Sequence, residues 1–493
     1  MTKEYVIGID AGTSCMKALA LDIDGNTLFR SSYDYDVCCA GSKVEQDSND
    51  WIAALRSLLG EIARNLSDRK ACGISISTQG GTTVGFDAYN APIGNAITWM
   101  DSRATEEASQ IEEELSGEYV YHASGWRINP ALDPSKLRYM RRRGAYDNAV
   151  HFYTTLEVLN GYLTDNYVID PTNAAQRQLY NLRAGDWDDV LINAALIRRE
   201  QLPTILPTGA YIGGLSARAA TQTGLAEGTP VYNGVHDQYS ASIGAGIVKP
   251  GEMLLSAGTT WVLLGITQKP LFTPSYIAPG RHPIEGMYGA IASLVGSGSS
   301  LKWFSQEFMQ DGFDKMNQIV PSRREKTREL FFYPYLSGAF FPHWKPEARG
   351  AFTGLTLDHD RFDLARAIME SCAFNVRRAI DDFRQNGQNV QALSIMGGAS
   401  KSGVWCQMIA DAAGVDVFKL ATPDVCALGA AAIALWGCGK YPNLLEASAR
   451  LTHIEQTFSP EKTSSAYYDE KRCRYDDMWN CISKYYDGRR NAE

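Results

Sequence analysis

The order of apolar and polar positions divides the chain into strands and helices from its first residues. Tyr5, Val6, Ile7 and Ile9 carry the β-branched and aromatic bias of a buried strand, which ends in a turn with one carboxylate, Asp10, and one glycine, Gly12. Met16 to Asp22 reads as a second strand, so Asp10 and Thr13 fall at a hairpin bend. After the Asp24-Gly25-Asn26 turn, Thr27 to Tyr35 reads as a third antiparallel strand. Asp47 to Asn65 switches to helical spacing, with Trp51, Ile52, Leu55, Leu58, Leu59 and Ile62 on one face and Asp47, Ser48 or Asn49 as the cap. Cys72 to Ser77 predicts another buried strand, ending in the polar, glycine-rich bend from Thr78 to Thr83. Strands alternating with helices predict an α/β layered domain. The stretch that follows, with Trp99, Trp126 and Trp187, reads as loop-rich and aromatic, and it is where substrate specificity is expected.

The pattern restarts near Pro230. Val231 to Val235 predicts a strand ending at His236-Asp237, and Met253 to Thr267 predicts a hairpin around Ser256-Ala257-Gly258-Thr259-Thr260. That second Gly-Thr bend echoes Gly12-Thr13, which raises internal duplication with one phosphate-facing hairpin from each half. Arg361 to Arg384 has the apolar stripe of a long helix, Leu393 to Met396 is a strand leading into Gly397-Gly398-Ala399, and Ser402 to Ala413 and Tyr467 to Tyr486 read as helices. The glycines and proline between Gly244 and Gly251 mark the domain boundary.

Length and composition narrow the class. At 493 residues the chain is too long for one core and predicts two domains of roughly 200 to 250 residues each. Its hydrophobic fraction of 45% and charged fraction of 21% are those of an ordered globular protein. A net charge of -9 argues against general binding to nucleic acid or an anionic membrane. Arg141, Arg142 and Arg143 read as a solvated helix end. The ten cysteines form no CxxC pair and lie partly in apolar segments, which suits reduced thiols in a cytosol. No apolar signal region precedes Asp10, and the longest apolar run, Ala427 to Gly439, is shorter than the ~18 residues that span a bilayer, so a buried helix is expected there.

Three constellations carry the chemistry. Asp10, Gly12 and Thr13 with Gly258, Thr259 and Thr260 could clamp a polyphosphate through outward backbone N–H groups, with a divalent metal between carboxylate and phosphate; an ordinary tight hairpin would use the same residues. Asp237, at the end of an apolar strand, suits a general base that takes a proton from a substrate hydroxyl, or equally a helix N-cap. Gly397-Gly398-Ala399 with Ala427-Leu428-Gly429-Ala430 suits either a flat adenosine ring or close helix-strand packing. The chain has no Gly-x-x-x-x-Gly-Lys-Ser/Thr loop, no His-Arg-Asp catalytic loop and no complete dinucleotide fingerprint.

These pieces, in this order, resemble the FGGY family of carbohydrate kinases, in the superfamily of sugar kinases and actin, over nearly the whole chain. Gly8-Ile9-Asp10-x-Gly12-Thr13-Ser14 is similar to the family's first phosphate motif and Ser256-x-Gly258-Thr259 to its second. Gly350-x-Phe352-x-Gly354-Leu355, followed by Asp363-Leu364-x-x-Ala367-Ile368-Met369-Glu370, resembles its C-terminal signature at each constrained position. The resemblance implies two ribonuclease-H-like, actin-like ATPase domains with a cleft between them. Residues 1–246 would carry the sugar side and the first phosphate motif, and residues 247–493 the nucleotide side. It implies Asp237 as general base, Asp10 as magnesium holder, Gly12, Thr13, Ser14, Gly258, Thr259 and Thr260 on the ATP phosphates, and Gly397, Gly398 and Ala399 by the adenosine. Gln79, Gly80, Trp99, Asp101 and Arg103 would join Asp237 at the sugar.

Three departures bear on the sugar. Gly80-Gly81 replaces the Arg-Glu of glycerol kinases and the Met-His of xylulokinases. The N-terminal signature is weak around Lys136-Leu137-Arg138-Tyr139-Met140, and Ala339-Phe340 stands where Glu-Arg often follows the glycine. The expected activity is ATP- and Mg²⁺-dependent phosphorylation of a ketopentose such as D-xylulose, giving the 5-phosphate. Alternatives are L-xylulose, ribulose, erythritol or gluconate as acceptor, or a nucleotide-switched binding protein without turnover. The implied setting is cytoplasmic, with a small sugar as partner, no nucleic acid or membrane, and a homodimer left open.

Overall fold

The computed structural model describes residues 3–144, 146–309 and 312–487. Two seven-stranded sheets organise it. The first runs Tyr211–Gly214, Pro230–Tyr232, Lys70–Thr78, Glu4–Ala11, Cys15–Asp22 and Thr27–Asp34, with Val235–His236 also paired to Lys70–Thr78. The second runs Ala278–Arg281, Tyr288–Leu294, Trp261–Thr267, Glu252–Ala257, Ala392–Met396, Asp416–Leu420 and Ile454–Phe458. Glu4–Ala11 pairs antiparallel with Cys15–Asp22 and parallel with Lys70–Thr78. Glu252–Ala257 repeats that arrangement with Trp261–Thr267 and Ala392–Met396. The echo of the two Gly-Thr bends therefore extends to the strands around them.

The long helices follow their sequence signals. Asp47 caps Ser48–Asn65 by accepting from the Asn49 N–H at 2.9 Å, and Trp51, Leu55, Leu58, Leu59 and Ile62 are fully buried. Each such side chain contributes about 1.5–3 kcal/mol of burial. Asp360 and Asp363 form a reciprocal capping box at the start of Arg361–Gln385. The stretch expected to be loop-rich is instead mostly short helices: Thr105–Glu114, Gly117–Ser124, Asp133–Arg142, Thr155–Thr164, Pro171–Gln176 and Asp189–Ala194. None exceeds ten residues, too few turns for a periodic stripe to show. They enclose a core of their own, with Leu137, Phe152, Leu179 and Trp187 inside.

Val425–Gly437 is apolar on all sides and buried almost throughout, the pattern of a helix at the centre of a molecule. Among the described residues no helix is long and apolar enough to cross a membrane. It packs on both the first strand and the helix Asp237–Gly244, at backbone contact distance. A Cβ on Gly8 would stand 2.1 Å from the Ala427 carbonyl oxygen, one on Gly244 2.1 Å from that of Val425, and one on Gly429 1.9 Å from that of Ser240. Ser240 Oγ also donates to the Cys426 carbonyl at 2.7 Å. Ala427 to Ala430 thus serve helix packing and do not line the adenosine site that their small size suggested. Gly429→Ala is expected to lower unfolding free energy by about 3 kcal/mol through overpacking. Gly117→Ala, which meets nothing within 4 Å at the start of a helix, should be neutral or stabilising. Urea denaturation of both variants checks the contrast.

Candidate active site

The Gly12-Thr13 turn is held from several sides. Asp10 ends its strand opposite Lys17 and Ser77, and Ser77 Oγ donates to Asp10 Oδ1 at 3.1 Å. Gly12 N–H closes the turn on the Cys15 carbonyl at 3.1 Å, and Tyr35 donates its hydroxyl to the Gly12 carbonyl. Lys17, beside Asp10, is tied to Asp424 at 3.1 Å. Burial, followed by the charge of Asp237, pushes Asp10 up to about 7.

Two of the residues expected at the sugar are tied to this turn, Trp99 directly and Gln79 through Gln46. Gln79 is buried, donates to Gln46 Oε1 at 2.7 Å, and Gln46 donates to the Thr13 carbonyl at 2.5 Å. Gln79 Oε1 is buried without a hydrogen-bond partner. Trp99 donates its indole N–H to Thr13 Oγ1 at 3.1 Å and remains 41% exposed, so an aromatic face stays open. Asp101 is placed differently from the expectation of a sugar contact. It is fully buried, accepts the Val44 N–H at 2.7 Å and forms a bidentate pair with Arg103, which also reaches Glu45 at 2.8 Å. Behind Gly80-Gly81 lies a buried ion cluster that the sequence did not announce. Lys136 Nζ donates to the Gly81 carbonyl at 2.5 Å and faces Asp133 at 3.5 Å. Arg177 bonds Asp133 at 2.5 Å and faces Glu157 at 3.6 Å. Burial alone would raise Asp133, but Arg177 and Lys136 hold it below the usual carboxylate range.

Asp237 is the first residue of its helix; His236 holds the cap position and makes no side-chain cap hydrogen bond, while the Asp237 carboxylate accepts from Gln238 in the first turn. Its Oδ1 is buried without a formed hydrogen bond, while the side chain as a whole is 27% exposed. Burial pushes Asp237 up to about 6, opposed by hydrogen bonds from Gln238. Gln238 in turn accepts from Ser256 Oγ at 3.1 Å, which links Asp237's helix to the second hairpin.

The second Gly-Thr turn opens on a cavity of about 670 Å³ whose walls include Gly258, Thr259, Gly398 and Ala399. Gly397 has φ +90°, and a Cβ there would meet the Ala257 carbonyl at 2.8 Å; a Cβ on Gly298 would stand 1.9 Å from the Gly258 carbonyl oxygen. Close backbone approach thus builds the site around the turn. Trp261, Trp405, Phe313 and Met316 supply apolar walls, and Asn317 Oδ1 accepts from Ser402 Oγ at 2.7 Å. An apolar slot beside a glycine-rich turn fits an aromatic base with its phosphates on backbone N–H groups.

Residues 5–244 match the N-terminal domain of the FGGY family of carbohydrate kinases, and residues 253–438 match its C-terminal domain. The chain belongs to the FGGY family of carbohydrate kinases. It is a sugar kinase, and the kinase family implies ATP as phosphate donor. A xylulose kinase of Staphylococcus epidermidis is 27% identical over 489 residues, covering 97% of each chain. A gluconokinase of Bacillus subtilis is 26% identical over 485 residues, covering 93% of this chain and 94% of its own. The crystal structure of a gluconate kinase from Lactobacillus acidophilus superposes with a TM-score of 0.93 at 24% identity, over 99% of this chain and 100% of that one. That likeness shows the fold, two actin-like ATPase domains.

Several residues of this FGGY site were not visible as motifs. Lys302, Phe313, Met316 and Asn317 come from helices flanking the cavity, and Gly298 and Ser299 form backbone against which the Gly258-Thr259 turn packs, the Ser299 N–H donating to the Thr259 carbonyl at 2.8 Å. Asp133 and Arg177 share no local pattern, since they meet only in the fold. Arg177→Met leaves Asp133 and Glu157 short of their shared cation and is expected to cost about 3–5 kcal/mol of stability. Lys17→Met, which removes a part-exposed pair with Asp424, should cost less than about 1 kcal/mol. Chemical denaturation of the two variants side by side is the measurement.

Proposed function

We propose that the enzyme transfers the γ-phosphoryl group of ATP to a hydroxyl of a ketopentose, with D-xylulose giving the 5-phosphate as the leading assignment. The observation that carries the mechanism is Asp237, a carboxylate at the end of a strand, 27% exposed at its side chain and raised toward neutral pH by burial. In this reading its Oδ2 takes the proton of the attacking hydroxyl. Backbone N–H groups at Gly12, Thr13 and Ser14 and at Gly258, Thr259 and Thr260 receive the phosphates, and Gly397, Gly398 and Ala399 border the adenosine. Gln79, Gly80, Trp99 and Arg103 define the sugar side. Residues 1–246 then form the sugar-side domain and residues 247–493 the nucleotide-side domain.

Magnesium is assigned to Asp10. Among the described residues no three His, Cys, Asp or Glu side chains gather into a protein-only metal cage. Magnesium carried on a nucleotide needs none, because it takes one or two carboxylates plus phosphate oxygens. Asp10 fits: its Oδ1 is fixed by Ser77, and its neighbour Asp237 adds a negative charge that a cation would offset. When bound, the ion neutralises charge on the phosphate oxygens. A cytoplasmic location is supported by ten cysteines, none paired in a disulfide.

The substrate assignment rests on the xylulose kinase likeness over 97% of both chains. A second reading, phosphorylation of an aldonate such as gluconate, is favoured by the gluconokinase likeness. ADP release measured over D-xylulose, L-xylulose, ribulose, erythritol and gluconate separates them, and highest kcat/KM on gluconate would displace the ketopentose. On the preferred sugar, Asp237→Asn should lower kcat by about 10²-fold or more while the fold is retained. Undiminished turnover would remove Asp237 from the mechanism. Excess MgATP should raise the melting temperature of the wild type, since a ligand bound only by the folded state stabilises it; no rise at saturating nucleotide would count against the nucleotide site.

A further inference from the structure

His236 precedes Asp237 and is built into the sheet more firmly than a passing neighbour. It pairs in register with Thr78, the last residue of the strand that leads into Gln79-Gly80-Gly81. Its backbone N–H donates to Thr172 Oγ1 at 2.8 Å, and that hydroxyl donates to Asp170 Oδ2 at 2.6 Å. Asp170 also accepts from Asn173 at 2.8 Å and from Thr208 at 2.7 Å, so the backbone of His236 is held by a satisfied network.

The imidazole is 6% exposed by residue and lies edge-on to Tyr239, ring centroids 6.0 Å apart. Its Nε2 is 3.2 Å from Asp237 Oδ1. The angle falls short of a formed hydrogen bond, as is common in catalytic sites without substrate, and neither Oδ1 nor His236 Nδ1 has another partner. Asp170 and Asp237 are the charged groups facing the ring, and burial holds the imidazole well below its ordinary range, at about 4. It is therefore neutral at physiological pH, with one nitrogen able to donate and the other to accept.

Gly80 supplies an independent observation. Its φ is not in the left-handed region, so backbone strain does not demand glycine, in contrast to Gly81 at +62°. What excludes a side chain is the ring itself: a Cβ on Gly80 would stand 2.6 Å from both Cδ2 and Nε2 of His236.

We propose that His236 is a positioning residue for phosphoryl transfer: its imidazole braces the buried Oδ1 of Asp237 so that Oδ2 meets the sugar hydroxyl, and position 80 is glycine to admit that ring. The role rests on Asp237 being the base. His236 keeps its proton count throughout; the substrate proton goes to Asp237, and the imidazole only fixes the carboxylate's rotation.

Steady-state kinetics on the preferred sugar with MgATP test it, using His236→Leu, His236→Gln, Gly80→Ala, the Gly80→Ala/His236→Leu double variant and Asp237→Asn. His236→Leu is expected to lower kcat by about 10- to 100-fold, the scale of a misplaced catalytic group. Both KM values should stay within about twofold, since a group that acts only in the transition state leaves ground-state binding alone. His236→Gln, which retains an N–H donor, should recover most of the loss. Gly80→Ala should match His236→Leu in kcat, whatever it does to the sugar KM through its place on the sugar side, and the kcat of the double variant should be no lower than that of either, the non-additivity of a shared contact. Wild-type kcat in His236→Leu, a Gln variant as slow as Leu, or additive losses would each overturn the role. If Asp237→Asn stays active, the base assignment falls; if Asp237→Asn is inactive and His236→Leu is not, only His236 loses its role. Should His236→Leu fail to melt cooperatively, the Gln and Gly80→Ala arms decide.

Discussion

Everything in this molecule depends on three backbones being allowed to touch. The first strand at Gly8, the Asp237 helix at Gly244 and the buried Val425–Gly437 helix at Gly429 approach to distances at which a single methyl group would collide with a carbonyl. Close contact of this kind leaves no slack, because protein interiors are packed nearly as densely as organic crystals. It therefore sets the separation of the strand end that carries Asp10 from the helix start that carries Asp237. The apolar cluster around it draws on both halves, with Val6, Leu19, Tyr239, Leu254, Val425 and Ala431 in one continuous core. The candidate chemistry sits at the edge of the best-packed part of the chain.

Electrostatics around that edge are uneven in a useful way. Cations close by are committed to partners: Lys17 to Asp424, Arg103 to Asp101 and Glu45, and Lys136 and Arg177 to Asp133. Asp10 and Asp237 are left without a bonded cation among these, and burial raises both toward neutral pH. In the proposed mechanism, a cation and a polyphosphate would offset these two carboxylates and each other.

How much of this the sequence disclosed follows from how local each signal is. Tyr5 to Ile9, Cys72 to Ser77 and Leu393 to Met396 are strands whose burial is written in closely spaced apolar residues, Val6, Ile7 and Ile9, Ile74 and Ile76, and Leu393 and Ile395, and the Arg361 helix has enough turns to show its stripe. Val231 to Val235 reads as one strand but falls across two, Pro230–Tyr232 and Val235–His236, because Gly234 must pass the Ile76 carbonyl, where a Cβ would stand 2.0 Å away, and the chain bends to do so. Asp237 was legible as a carboxylate at a strand end, whereas the significance of His236 needed Gly80, a residue far away in the chain. Ala427 to Ala430 were ambiguous for a physical reason: small side chains admit a flat ring and a neighbouring helix equally well, and only the position of Ser240 decides between them. Asn317 and Lys302 had no signal, since an ordinary amphipathic helix can present either residue to solvent or to a ligand.

The long span of the central contact also bears on how the chain is made. Lys440 reaches Glu4 across 436 positions, and the Ala427 to Ala431 turn of the buried helix covers Gly8. During synthesis the first strand leaves the ribosome long before the helix that seals it exists. The strand can pair early with Cys15–Asp22 and Lys70–Thr78, but one face of its sheet must wait, exposed, for nearly the whole chain. The segment that opens the protein is thus among the last to be fully enclosed, and its nascent form is an open apolar surface of the kind that chaperones hold.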